Sequence, residues 1–204
     1  LFAYEDKRLR THHGIDPLAL GRAALQFSTS GHIVSGGSTL TMQVARLLEP
    51  RQHRSFGAKL RQLARALQLE IALGKDDILA LYLTLAPYGG NLEGIRAASL
   101  SYFGKEPRRL TLGEAALLVA LPQSPEWRRP DRNPQAARTA RDRVLDRAVA
   151  AGAVPHDEVI RAKYESVPTA RKQLPMLAAH AADQVVVAEP ERRVHRLTID
   201  AGLQ

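Results

Sequence analysis

The sequence predicts an all-α domain with a short β-like exit strand at its C-terminal end, and three observations carry that expectation. Apolar residues recur at helical spacing almost throughout. Helix starts are marked by Asp16-Pro17, by Thr111-Leu112-Gly113-Glu114 as a capping box, and by Asn133-Pro134 with proline at the first helical position. Alternation fitting an edge strand occurs only near Val194 to Ile199.

At the N-terminal end, Glu5-Asp6-Lys7-Arg8-Leu9-Arg10-Thr11-His12-His13-Gly14 concentrates two carboxylates and two imidazoles. If this segment is helical, Glu5 and His12 return to one face and line a common cleft with Asp6 beside them. By itself the segment reads rather as a charged, exposed helix end. From Ser28 to Gly37 a Gly- and Ser-rich stretch is expected as a mobile loop that cannot pack as a helix. It runs through Gly36-Gly37 into Ser38, the expected N-cap of the next helix, and a helix start facing a loop can hold an anion. From there Thr39, Gln43 and Arg46 share one face while Leu40, Val44 and Leu47 share another, so one face can bind and the other pack. The glycine spacing and Lys-Ser/Thr ending of a Walker phosphate loop are missing.

The following helix, from Lys59 to Glu70, shows an apolar stripe of Leu60, Leu63, Leu67 and Ile71, expected to be core, with Lys59 and Gln62 one turn apart on a common side. Further on come Ile78 to Leu83, Tyr88 to Ile95, and Tyr102-Phe103-Gly104-Lys105. After a helix from Glu114 to Leu121, the break Pro122-Gln123-Ser124-Pro125 through Arg128-Arg129-Pro130 precedes an Arg-rich helix from Pro134 to Ala151, read as part of a smaller supporting lobe.

Composition narrows the classes. At 204 residues the chain favours one domain, perhaps of two lobes. With no cysteine, thiol catalysis, disulfides and thiolate metal sites are excluded. The formal charge of +8 attracts phosphates, nucleic acid or anionic headgroups without choosing among them. A nucleic-acid partner is not expected, because no docking motif is recognisable and aromatics are few. No stretch is long and apolar enough to span a membrane, and both ends read as cuts within a longer chain.

Five blocks in order, at Glu5 to Gly14, Gly36 to Arg46, Lys59 to Glu70, Ile78 to Ile95, and Ala97-Ala98 with Tyr102 to Lys105, resemble the five signature motifs of glycosyltransferase family 51, continuously to about Leu121. Members of that family form the peptidoglycan glycosyltransferase domain of class A penicillin-binding proteins. Gly57-Ala58-Lys59 to Glu70 and Leu121 to Pro125 are most similar to the 1C-type branch. The tail from His195 to Gln204 resembles the strand leading into the family's transpeptidase domain, whose Ser-x-x-Lys and Lys-Thr-Gly motifs this chain lacks. The resemblance implies a lysozyme-like glycosyltransferase domain over residues 1–190, with a main lobe to about 121, supporting helices over about 134–187, and a linker over 191–204.

It also implies a reaction. Lipid II and a nascent glycan strand are joined by an inverting β-1,4 linkage with release of undecaprenyl pyrophosphate, at the periplasmic face of the bacterial inner membrane and alongside other cell-wall synthesis proteins. Positionally, the catalytic glutamate falls on Glu5, with Asp6 as a structural or orienting carboxylate. His12, Ser38, Thr39, Gln43, Arg46, Lys59, Arg61 and Gln62 fall at or beside substrate-binding positions, Lys59 being the main pyrophosphate lysine. No metal ligand set is visible and no cofactor is required by the sequence, although the resemblance allows a divalent cation, magnesium or manganese.

Three departures stand out. Ala58 occupies a position usually held by arginine, which Arg61 or Arg65 would have to replace, and Leu9 stands where the family prefers phenylalanine. The family's second acid falls on Gln62, whose neutral amide can hydrogen-bond but cannot carry charge or shuttle a proton. Glu70, about two turns further along, is not expected to substitute. The alternatives are a catalytically impaired scaffold that binds the lipid substrate, or a lysozyme-like lytic enzyme.

Overall fold

The structure, a computed structural model, describes residues 1–30, 37–49, 55–173, 179–192 and 195. Its helices are α1 (Phe2–Glu5), α2 (Pro17–Ser30), α3 (Leu40–Leu48), α4 (Phe56–Ala72), α5 (Lys75–Leu85), α6 (Ile95–Phe103), α7 (Leu112–Ala120), α8 (Pro134–Ala150), α9 (His156–Tyr164) and α10 (Ala179–Ala188). Among the described residues there is no sheet, only two isolated bridges, and the all-α expectation holds. The expected exit strand and most of the 28–37 stretch lie outside the described residues. The chain divides into two compact units, Leu1–Lys172 and Gln173–Gln204. The second contains α10, followed by a local ion pair between Arg192 and Glu189 at 2.9 Å. All that follows concerns the first unit.

Several helix starts form as their side chains dictate. The Asp16 carboxylate accepts from the Ala19 amide at 3.0 Å. Thr111 and Glu114 close a reciprocal capping box on α7, and the Asn133 side chain caps α8. Each satisfies amides that a helix end otherwise leaves unpaired. At α3 the N-cap is Thr39 rather than Ser38: Thr39 Oγ1 accepts from the Met42 amide and donates to Gly14 O at 2.6 Å. Ser28, Thr29 and Ser30, expected in a loop, extend α2, their hydroxyls donating back to carbonyls one turn earlier. That local bond replaces the solvent contact a loop would have offered.

Three apolar clusters hold the unit together, two of them large. One gathers Leu40 and Val44 of α3, Ile78 and Tyr82 of α5, Tyr102 of α6 and Leu117 and Leu118 of α7. The other joins α7, α8 and α9 through Ala116, Ala120, Ala140, Val144, Leu145 and Val159. α7 belongs to both and links the supporting helices to the main lobe.

α4 corrects the expected stripe. Leu60, Leu67 and Ile71 are 52%, 43% and 88% exposed, while Ala66 is buried with Met42 and Ala45 of α3, with Leu63 and Leu69 packed against them. The buried side lies roughly a third of a turn round from the apolar stripe. Small residues set it: the Gly14 backbone packs so closely on α4 that a Cβ there would stand 2.8 Å from Ala66 O, and its φ of +81° suits glycine alone. The small side chain of Ala66 itself packs against Met42 and Ala45 of α3.

Candidate active site

A cleft of about 550 Å³ opens between α1, the start of α2, α3 and the turn after α7. Its walls include Glu5, Asp6, Ser38, Thr39, Gln43, Arg46, Gln123 and Arg147. Six positions spread over the first two motifs, Glu5, Asp6, Ser38, Thr39, Gln43 and Arg46, therefore line one groove.

Glu5 sits at the C-terminal end of the four-residue α1. Gln43 Nε2 donates to its Oε2 at 2.9 Å and Gln123 Nε2 to its Oε1 at 2.8 Å. Two neutral amides, one from each side, thus aim the carboxylate without neutralising it. Gln43, expected on the substrate, is here engaged with Glu5. Gln123 was not singled out from sequence as a site residue. Its own Oε1 accepts from Tyr4 Oη at 3.0 Å and from Arg128 Nη1 at 3.0 Å, and the Arg147 guanidinium of α8 stacks over the Tyr4 ring at 4.7 Å.

Asp6 and His12 answer a different need. α1 ends at Glu5, so Glu5 and His12 do not continue on one helix face as expected. The chain turns, and His12 Nε2 faces both Asp6 carboxylate oxygens at 3.0 and 2.9 Å. Asp6 Oδ2 also accepts from the Leu40 amide at 2.9 Å. Both residues are buried, and His12 is not among the cleft walls. A carboxylate at the first turn of α3 complements the helix dipole. Asp6 thereby fixes the first motif to the second, and His12 supports it from behind rather than touching the groove.

Beyond Arg46 the groove meets α4 through Ser38. Lys59 Nζ lies 3.1 Å from Ser38 Oγ and 3.1 Å from Gln62 Oε1, and Gln62 Nε2 donates to Met42 O at 2.6 Å. The Lys59 stem is exposed, yet burial of its ammonium and then the nearby Arg46 charge hold its pKa below the usual lysine value. Among the described residues neither Lys59 nor Arg46 has a carboxylate partner. Arg61 lies exposed on α4 and outside the cleft walls. Glu70 is committed elsewhere, to Thr41 Oγ1 and to Lys75 Nζ, each at 2.6 Å.

The cation that the resemblance allows does not fit at position 62. The only oxygen Gln62 can offer already faces an ammonium, and a second positive charge there would be repelled. Among the described residues no group of three or more His, Asp or Glu is placed to hold a metal.

Comparison with known proteins identifies the family. A family model described as transglycosylase matches residues 1–149. Penicillin-binding protein 1C of Escherichia coli is 47% identical over the whole chain, which covers 26% of that protein. Penicillin-binding protein 1A of Pseudomonas aeruginosa is 37% identical over 91% of the chain and 23% of its own length. A crystal structure of penicillin-binding protein 1A from Haemophilus influenzae aligns with 76% of this chain and 20% of its own at 23% identity and a TM-score of 0.45. The chain thus spans about a quarter of the curated relatives it matches. With the matched segment containing every wall of the cleft, this chain belongs to the transglycosylase family of class A penicillin-binding proteins.

Proposed function

We propose that the chain polymerises lipid II into β-1,4-linked glycan, an inverting glycosyltransferase of family 51. The observation that carries this reading is a single amide-held carboxylate, Glu5, in one groove with Arg46, continued by Ser38 to Lys59. Glu5 takes the proton of the acceptor 4-hydroxyl as that oxygen attacks the anomeric carbon of the donor. The bond from that carbon to the diphosphate oxygen breaks, and the electron pair leaves with undecaprenyl pyrophosphate. Arg46 and Lys59 stabilise the charge developing on it. Attack opposite the leaving group inverts the anomeric centre.

Hydrolytic cleavage by two carboxylates finds less support. Of the other acids on the cleft walls, Asp6 is spent on His12 and the Leu40 amide, and Asp16 on Arg8 and the Ala19 amide. Exposed apolar side chains support a lipid-linked substrate. Leu18 and Leu25 of α2, Leu48 of α3, and Leu60, Leu67 and Ile71 of α4 are exposed, an apolar set suited to a bilayer interface at the periplasmic face. No helix among the described residues is long and apolar enough to cross a membrane.

The test is incubation of the protein with lipid II, following glycan formation, with moenomycin, a phosphoglycolipid mimic of the donor, as control. Moenomycin-sensitive polymer is the expected product. Cleavage of preformed glycan without consumption of lipid II would replace the reading with the lytic one.

A further inference from the structure

We infer that Gln62 is a positioning residue, one that spaces the two cations of the diphosphate pocket and keeps Lys59 free of an acidic partner. This rests on the proposed glycosyltransferase reading and deepens it. The Gln62 amide acts at both ends: Nε2 donates to Met42 O at 2.6 Å and Oε1 accepts from Lys59 Nζ at 3.1 Å. Met42 and Arg46 stand one turn apart on α3. The amide therefore ties the backbone one turn below Arg46 to the ammonium of Lys59 on α4. The buried contacts of Met42 and Ala45 with Ala66 bring the two helices together, and the amide sets where their charges stand.

A carboxylate cannot replace it. Glutamate has no proton to offer Met42 O at neutral pH, so that contact becomes a repulsion between two oxygens. Its charge would also capture the Lys59 ammonium, which is now held by two neutral oxygens, those of Ser38 and Gln62. The diphosphate would then have to displace an internal anion before binding. Glutamine leaves both positive charges available to the leaving group, and the stabilisation that a divalent cation would supply comes instead from fixed side chains. The acid common in the family would thus be a handicap in this chain.

The experiment titrates farnesyl diphosphate into the wild-type protein, Gln62→Glu and Gln62→Met, at low and high salt, alongside lipid II polymerisation and thermal melting. Gln62→Glu is expected to weaken diphosphate binding about ten-fold at low salt, the size of one added charge pair, with the loss shrinking as salt screens it. Gln62→Met, which loses both hydrogen bonds but adds no charge, is expected to weaken binding about three-fold with no salt dependence beyond that of the wild type. Equal losses in the two variants would reduce Gln62 to a packing residue, and unchanged or tighter binding by Gln62→Glu would overturn the inference. If the wild type polymerises lipid II and only these comparisons fail, the inference falls alone. A wild type that neither polymerises lipid II nor binds farnesyl diphosphate removes the function and the inference with it.

Discussion

Arg141 in the supporting helices and Arg46 in the groove are one residue type put to opposite uses. Arg141 is 1% exposed. It donates to the carbonyls of Glu165 at 2.6 Å and Lys163 at 2.8 Å, at the C-terminal end of α9, and pairs with Asp142 at 2.9 Å. There the charge meets the negative end of a helix and its donors are spent inside the protein. Arg46 stands exposed on the last turn of α3 beside Lys59, with no carboxylate partner among the described residues. Positive charge that the fold consumes is structural, whereas positive charge that it leaves unpaired beside a held base awaits a ligand.

That contrast can be broken most sharply at the base. Glu5→Gln keeps the side-chain shape but removes the proton acceptor, and polymerisation of lipid II should fall about 100- to 10,000-fold with the melting temperature unchanged. Retained turnover would mean that the carboxylate held by Gln43 and Gln123 is not the base. Arg141→Met should act in reverse, removing about 3 kcal/mol of stability by stranding two carbonyls and Asp142, measured by chemical denaturation. A variant as stable as the wild type would show that the buried arginine is not structural.

Lys59 sharpens the comparison through pH. Burial and Arg46 lower its pKa, and the ammonium is the form that binds a diphosphate, so affinity is lost as pH rises through that lowered value. Moenomycin or farnesyl diphosphate binding should begin to weaken below the ordinary lysine range. In Arg46→Ala the same limb should move to higher pH. A limb that stays in place would show that the two charges do not feel each other. The smallest effect is expected at Ile71, whose side chain is 88% exposed: Ile71→Ser should change stability by less than about 0.5 kcal/mol while lowering retention on anionic phospholipid vesicles. A large loss of stability would return this residue to the core.

The helix starts were legible because a cap is written within four residues, as in Thr111 to Glu114. The cleft-lining side of α3 was legible because Leu40 and Val44 alternate in register with Gln43 and Arg46. The buried side of α4 was not, since it depends on Gly14 approaching Ala66, a contact between segments far apart in sequence. Hydrophobic periodicity marks an apolar face without saying whether protein or lipid will cover it. Glu5 and Arg46 were placed by motif order and line one cleft, while Lys59 lies outside its walls and reaches it through Ser38. His12 was assigned to the groove on the assumption of a continuous helix, and the turn after Glu5 sends it behind Asp6. Gln123 left no local signal at all, because its partner lies 118 positions away.

That last hydrogen bond also ties the site to a late part of the chain. Arg46, Lys59 and Gln62 all lie within the first 62 residues, whereas the amide that completes the hold on Glu5 comes some sixty residues later. The two amides that hold Glu5 thus come from positions 43 and 123, so the carboxylate is fully held only when the turn after α7 has closed over the first helix.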